Sequence, residues 1–390
     1  MTPAARLSAA MDVLDRVAAG GNAEQALTQW ARASRFAGSG DRAAVRDLVF
    51  TALRRRHSHA ALGGGESGRA LILGALREAG TDPAALFTGE AHAPAPLSAQ
   101  ETAHLARPVA LEGTVALDCP DWLAPQLQAS LGADFAPVMQ ALRDRAPVYL
   151  RVNTARGDRA AAQASLAAEG IATRPAPLAE TALEVTGNER RIRNAQAYRD
   201  GLVELQDAAS QALVAALPVR PGQRVLDYCA GGGGKVLALA ARARQQLFAH
   251  DADPGRMRDL PARAARAGTE VQLLTGPEAA ARGPYDLVLL DVPCSGSGAW
   301  RRAPEAKWRL TPERLRDLQE IQSEVLDKTM SYVAPGGCLA YATCSVIEAE
   351  NGARIKAFLA AHPDWRCSFQ RRFTPLEGGD GFYLALLTRR

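Results

Sequence analysis

Val225-Leu-Asp-Tyr-Cys-Ala-Gly-Gly-Gly-Gly-Lys235 runs from a short apolar stretch into four consecutive glycines and a lysine. It reads as a strand, a glycine loop and the opening of a helix, the context in which backbone amides can approach a nucleotide-like cofactor. It is not a Walker loop, because Val236 follows Lys235 where Ser or Thr would be needed. Nor does it follow the Gly-x-Gly-x-x-Gly spacing of hydride-transfer enzymes. The next expected strand ends at Phe248-Ala-His-Asp251. An acid at that place can grip the two hydroxyls of a ribose, or it can cap the helix expected after Pro254.

Strand and helix alternate on both sides of this loop. Strands are expected at 224–228, 246–251, 270–274, 285–291, 337–342 and 380–388. Helices are expected at 235–244, 254–267, 312–333 and 349–361. From Asp207 to Arg390 this is the pattern of an α/β domain with a doubly wound, mainly parallel sheet. Before it, Val148-Tyr-Leu-Arg-Val-Asn-Thr154 alternates like a strand and a helix is expected at 158–169. With helices at 121–131 and 135–144, residues 111–206 form linker helices and a small α+β unit. Residues 1–110 carry helical spacing at 5–18, 23–34, 40–57 and 68–80, for example Leu7, Met11, Leu14 and Val17. Asn22 and Ser39-Gly-Asp41 supply the breaks, and the Pro/Ala-rich 88–118 reads as connection.

Composition narrows the function classes. The chain has 390 residues, a net charge of +4 and no apolar run long enough to span a bilayer. The start, Met1-Thr-Pro-Ala-Ala-Arg6, lacks the apolar core of a signal peptide. Six cysteines show neither Cys-x-x-Cys pairs nor zinc spacing, so reduced thiols, a cytoplasmic location and no metal are expected. Basic residues are almost all arginine. The first 60 residues hold nine arginines against five acids, which makes the helical start locally basic. The clusters Arg54-Arg55-Arg56, Arg190-Arg191-Ile-Arg193 and Arg301-Arg302 are suited to a nucleic-acid backbone or to a solvated face.

Two cysteines follow the ends of expected strands: Cys294 in Asp291-Val-Pro-Cys-Ser-Gly-Ser-Gly298 and Cys344 in Tyr341-Ala-Thr-Cys-Ser345. Chemistry in an α/β sheet gathers at the carboxyl ends of its strands, so both thiols and the glycine loop meet at one edge. A thiolate adding to C6 of a pyrimidine makes C5 a nucleophile that can accept a methyl group from S-adenosylmethionine. Loss of the C5 proton then calls for a second base, and an acid near N3 would stabilise charge developing in the ring. Asp291 fits that last place. Cys119, Cys338 and Cys367 read as packing thiols.

These motifs, with Trp300-Arg-Arg-Ala-Pro-Glu-Ala-Lys-Trp308 and Glu348-Ala-Glu350-Asn351, resemble the RNA cytosine-5 methyltransferases of the RsmB/NOP2/NSUN family. Pro120-Asp-Trp-Leu123, Leu150-Arg-Val-Asn153 and Gln206-Asp-Ala-Ala-Ser-Gln211 are similar to that family's linker, small domain and catalytic-domain entry. The likeness covers residues 118–390. The helical start, with Asp41-Arg42 and Leu53-Arg-Arg-Arg56, resembles a NusB-type RNA-binding domain and points to the bacterial small-subunit ribosomal RNA branch.

The resemblance implies a Rossmann-like domain that uses S-adenosylmethionine, over residues 207–390, and a 16S ribosomal RNA substrate. It implies Cys344 as the nucleophile and Cys294 as the group that resolves the adduct. Asp291 and Lys235 would lie at the base. Cys229, Ala230, Gly231, Gly232, Gly233, Gly234 and Lys235, with Asp251, Arg256 and Asp291, would hold the cofactor. Arg301, Arg302 and Lys307 would face RNA phosphates. A monomer is the default, with no membrane partner. The family loop usually reads Cys-Ala-Ala-Pro-Gly-Gly-Lys-Thr, whereas Gly231, Gly232 and Val236 stand at its second Ala, Pro and Thr. The extra glycines are expected to loosen the loop, and Leu274-Thr275-Gly276 offers no acid near an adenine. An RNA-binding assembly factor without activity is the competing reading.

Overall fold

The computed structural model describes all residues 1–390 and divides into two compact units. The first holds Met1–Gln128, Gly132–Arg145 and Trp300–Arg309. Helices Pro3–Ala18, Ala23–Ala33, Ser39–Arg54, Arg56–Gly63 and Gly68–Glu78 pack around Val13, Val45, Val49, Ile72 and Leu73, all fully buried. Thr2, Asn22 and Ser67 cap three of these helices by accepting from backbone N–H groups of the first turn.

The single helix expected over 40–57 is broken at Arg55, whose φ/ψ of −112°/35° leaves the helical region. The break turns the chain so that helices Arg56–Gly63 and Gly68–Glu78 meet backbone to backbone. A Cβ on Gly63 would lie 1.8 Å from the Ala70 carbonyl oxygen, and one on Gly74 would lie 2.0 Å from that of His59. The stretch 88–118, expected as connection, contains helices Ala99–Leu105 and Gly113–Ala116. Ser98 and Glu101 form a capping box on the first of them, a signal legible in Ser98-Ala-Gln-Glu101.

Trp300–Arg309 belongs to this first unit, and here the structure corrects an expectation. The last carbonyls of a helix lack intrahelical donors. Trp308 Nε1 donates to Leu53 O (2.6 Å) and Lys307 Nζ to Arg54 O (3.2 Å). Arg54 Nε in turn donates to Arg301 O (2.8 Å). Lys307 is therefore 1% exposed and Arg301 5% exposed, so neither faces RNA phosphates; only Arg302 of that trio is exposed.

The second unit carries two sheets. The smaller has order β2-β3-β1-β4, with β1 Val148–Val152, β2 Ala172–Pro175, β3 Ala182–Gly187 and β4 Val203–Leu205, paired antiparallel. The larger has order β10-β11-β9-β8-β5-β6-β7. Its strands are β5 Arg224–Asp227, β6 Gln246–Ala249, β7 Gln272–Leu273, β8 Tyr285–Asp291, β9 Val333–Thr343, β10 Trp365–Phe373 and β11 Phe382–Arg389. β5 through β9 pair parallel, while β11 runs antiparallel to β9 and to β10. This is the Rossmann-like doubly wound sheet expected from the alternation.

Residues alternate between two buried faces. Val225, Leu247, Leu287, Leu289 and Ala340 belong to one core, and Leu226, Phe248, Val288, Leu290, Leu339 and Tyr341 to the other. Burial on both faces is why these strands read as continuous apolar runs. The chain winds outward from β5 to β7 and then returns to β8 beside β5. That reversal is the switch point at which such sheets bind ligands.

Helices Gln196–Arg199, Ala208–Ala215, Gly276–Ala281 and Pro304–Arg309 and strand β10 also escaped the sequence reading. β10 is an edge strand with exposed arginines and a register shift between Cys367 and Phe369, so its alternation is masked. The helix expected at 254–267 is a short 3-10 turn, Pro254–Met257, followed by helix Leu260–Ala267 with Pro261 in its first turn.

Burial pulls the Lys307 ammonium down to about 8 from 10.5. The unfolded chain keeps its proton up to the higher value, so unfolding takes up protons between the two and stability should rise with pH across that window. Lys307→Met should remove on the order of 3 kcal/mol of that rise. Urea unfolding of both proteins from pH 7 to 10.5 measures it; parallel curves would refute the assignment.

Candidate active site

The glycine loop is pinned through its backbone. Gly231 N donates to Asp251 Oδ2 (2.9 Å), Ala230 N to His250 O (2.9 Å) and Gly233 N to Ala230 O (2.8 Å). Arg263 donates to Gly232 O. Arg151 Nη1 (2.8 Å) and Gln206 Nε2 (3.1 Å) both donate to Gly234 O. Arg151 comes from β1, so the Leu-Arg-Val-Asn segment of the small sheet supports the loop directly. Gly231 and Gly233 have φ of +50° and +81°, and a Cβ on Gly233 would lie 2.1 Å from Leu260 Cδ1. Of the two extra glycines, Gly231 is thus held through its N–H by Asp251 and Gly232 through its C=O by Arg263. Val236, where the family pattern has Thr, is fully buried in the core.

Asp251 is almost buried and accepts from Gly231 N and Asp253 N, with Arg256 Nη1 at 3.1 Å from Oδ2. It does not cap the turn after Pro254; Asp253 does. Lys235 Nζ donates to Asp291 Oδ2 at 2.6 Å across the carboxyl ends of β5 and β8. Burial pulls the Lys235 ammonium down, but the charge and hydrogen bond of Asp291 outweigh that, and the charges of Cys344 and Asp227 add to them. The net effect holds it above its ordinary value. Beneath this pair lies Asp227, which the sequence reading assigned no role. It is 1% exposed, its Oδ1 has no partner, and burial, then the charge of Asp291, pushes its carboxyl up to about 7.

The two thiols meet at the ends of β8 and β9. Cys294 Sγ and Cys344 Sγ are 3.4 Å apart. The hydrogen bond to Cys344, burial and the charge of Glu350 push the Cys294 thiol well above its ordinary value. The loops that carry the thiols are joined backbone to backbone: Gly298 N donates to Cys344 O (2.9 Å) and Val292 N to Ala342 O (3.1 Å). Gly298 has no room for a side chain, since a Cβ would lie 2.1 Å from Gly381 O.

A single buried carboxylate ties both loops. Glu350 Oε1 accepts from Ser295 N (2.8 Å) and Gln322 Nε2 (3.1 Å). Its Oε2 accepts from the hydroxyls of Ser295 and Ser345, both at 2.5 Å. Ser295 follows Cys294 and Ser345 follows Cys344. Asn351 extends the network by donating to Ser345 O and accepting from Thr343 Oγ1. The sequence reading quoted Glu350 within a motif but gave it no role.

Of the residues expected from sequence, Lys235, Asp291, Cys294 and Cys344 come together. Cys229 through Gly234, Asp251 and Arg256 form the adjoining loop cluster. Cys229 is raised by burial, and no group of His, Cys, Asp and Glu is arranged to hold a metal ion. No helix is long and apolar enough to cross a membrane.

A family model described as 16S rRNA methyltransferase RsmB/F matches residues 214–388, and that of its ferredoxin-like domain matches residues 119–190. The ribosomal RNA small subunit methyltransferase B of Xylella fastidiosa is 34% identical over 289 residues, covering 69% of this chain and 67% of that protein. The chain belongs to the RsmB/F methyltransferase family. The Vibrio cholerae protein of the same name is 34% identical over 284 residues, 70% of this chain. The chain spans only 65% of the length of that relative. A crystal structure of a methyltransferase homolog protein from Pyrococcus horikoshii shares the fold of this RsmB/F chain. Its TM-score is 0.61 at 23% identity, over 72% of this chain and 98% of that one.

Removing the Glu350 carboxylate strands four donors in a dry interior. Glu350→Ala should lower stability by roughly 3 kcal/mol or more, read as a denaturation midpoint. Glu350→Gln should recover only part of it, because an amide accepts at one end alone. Wild-type stability in Glu350→Ala would contradict the proposed hub.

Proposed function

We propose that this chain transfers a methyl group from S-adenosylmethionine to C5 of a cytosine in RNA, with small-subunit ribosomal RNA as substrate. The observation that carries the reading is the 3.4 Å approach of Cys294 and Cys344 beside the Lys235–Asp291 pair. Membership of the RsmB/F family supports it.

The residues present fit the cofactor. Asp227 Oδ1 is a buried polar atom with no partner beside the glycine loop, and it would accept a donor from a bound ligand. Asp251 would take the two ribose hydroxyls, which would replace the half-exposed Arg256 as its partner. The four glycines present backbone rather than side chains to the ligand. When bound, S-adenosylmethionine supplies an electrophilic methyl group.

The remaining chemistry belongs to the chain. Cys344 Sγ adds as thiolate to C6 of the base, and C5 becomes nucleophilic. The Lys235–Asp291 pair faces N3, and the proton held between them passes to N3 and neutralises the negative charge developing in the ring. Once Cys344 is bound to carbon, its hydrogen bond and its charge no longer hold the Cys294 proton. Those are the first and third of the causes that raise Cys294. Cys294 then ionises more readily and takes the C5 proton, and Cys344 leaves as the double bond re-forms.

Two substitutions test the roles. Cys344→Ala should abolish transfer of tritiated methyl to small-subunit RNA. Cys294→Ala should leave a protein–RNA adduct that survives a denaturing gel. An adduct from Cys344→Ala instead would reverse the assignments. No S-adenosylmethionine binding by calorimetry would sink the enzyme reading and leave that of an RNA-binding assembly factor.

A further inference from the structure

We propose that Cys294 and Cys344 form a peroxide-sensitive dithiol, which closes to a reversible disulfide and switches the site off. Their sulfurs stand 3.4 Å apart, whereas a disulfide bond is about 2.05 Å long. The two loops that carry the sulfurs are already paired through their backbones. Asp291 and Ala342 are register partners of the parallel pair β8–β9, and the loops beyond them are joined by Gly298 N to Cys344 O and Val346 N to Ser297 Oγ. Glu350 holds Ser295 and Ser345 together behind the sulfurs. Rotation about the Cα–Cβ bonds would bring the sulfurs together.

The chemistry balances with a peroxide as oxidant. The Cys344 thiol gives up its proton, the thiolate attacks one peroxide oxygen, the O–O bond breaks to leave a sulfenic acid, and the departing hydroxide takes up the released proton as the first water. Cys294 Sγ then attacks the sulfenyl sulfur, the S–O bond breaks, and the departing hydroxide takes the Cys294 proton as the second water. The two sulfurs lose two electrons and the peroxide gains them. Cys294 and Cys344 are both partly exposed residues, unlike Cys119 and Cys338. Cys119 and Cys338 are buried, and burial pushes them up to about 11 and about 12, which keeps them inert thiols.

That closure silences methyl transfer rests on the function proposed above; the bridge itself rests on geometry alone. Protein without RNA or cofactor is treated with hydrogen peroxide. Its intact mass should fall by two hydrogens, and peptide mapping should join the Cys294 peptide to the Cys344 peptide. Dithiothreitol should restore both free thiols and, in the methylation assay, the activity. Cys294→Ser should instead leave a sulfenic acid on Cys344 that dimedone traps. Oxygen addition to Cys344 beside a free Cys294, or a bridge between other cysteines, would overturn the proposal. Bridging without methyl transfer by the reduced protein would sink the function and leave the dithiol standing.

Discussion

The buried carboxylate of Glu350 is the constraint on which the two-thiol site depends. β8 and β9 are neighbouring parallel strands, and each ends in a loop with no regular partner of its own. Parallel strands continue in separate directions unless something ties them, because their connections are crossovers rather than hairpins. Glu350 supplies the tie by accepting from the residue after each cysteine. A charge this far from water is tolerated only when its lone pairs are filled. Four donors at 2.5–3.1 Å fill them. The hydrogen-bond demand of one carboxylate thereby becomes a distance between two sulfurs.

Much of the sheet was legible because its strands are buried on both faces. Val225–Leu226 and Leu287–Leu290 can only be strands of a covered parallel sheet when they recur between helical patterns. β10 carries Arg366, Arg371 and Arg372 on an edge and shifts register midway, so neither apolar content nor period marks it. The helix break at Arg55 was invisible for a different reason. It serves a backbone contact between two helices at Gly63 and Gly74, which no local pattern encodes.

The site divides in the same way. Cys294, Cys344 and Asp291 stand at strand ends and Lys235 opens a helix, all in motifs whose residue types declare their chemistry. Asp227 and Arg151 act by where their atoms end up: one with an empty oxygen under the site, the other reaching Gly234 O from a separate sheet. Lys307 shows the converse. A basic residue in a motif reads the same whether it meets phosphate or caps a helix, and the free carbonyls of Leu53 and Arg54 decided for capping. For the glycine loop, missing side chains say nothing of what holds the backbone. Arg151, Gln206, Asp251 and Arg263 hold the loop by its N–H and C=O groups, which glycine keeps in full.

Charge balance links these parts. Lys235 is one ammonium facing two carboxyl groups, Asp291 at 2.6 Å and Asp227 in the interior below. Two ionised acids and one ammonium would leave a net charge in a dry place. Burial and the nearby Asp291 charge avoid this by keeping the Asp227 proton up to about neutrality. A cation seated beside Asp227 would reverse the balance, because it favours the ionised acid. Binding of a positively charged ligand at the glycine loop and release of the Asp227 proton are then two sides of one equilibrium. The orphaned oxygen at the bottom of the site is therefore no flaw in packing. It is a carboxyl that burial and the Asp291 charge push up to about 7, so a partner of opposite sign would favour its charged form.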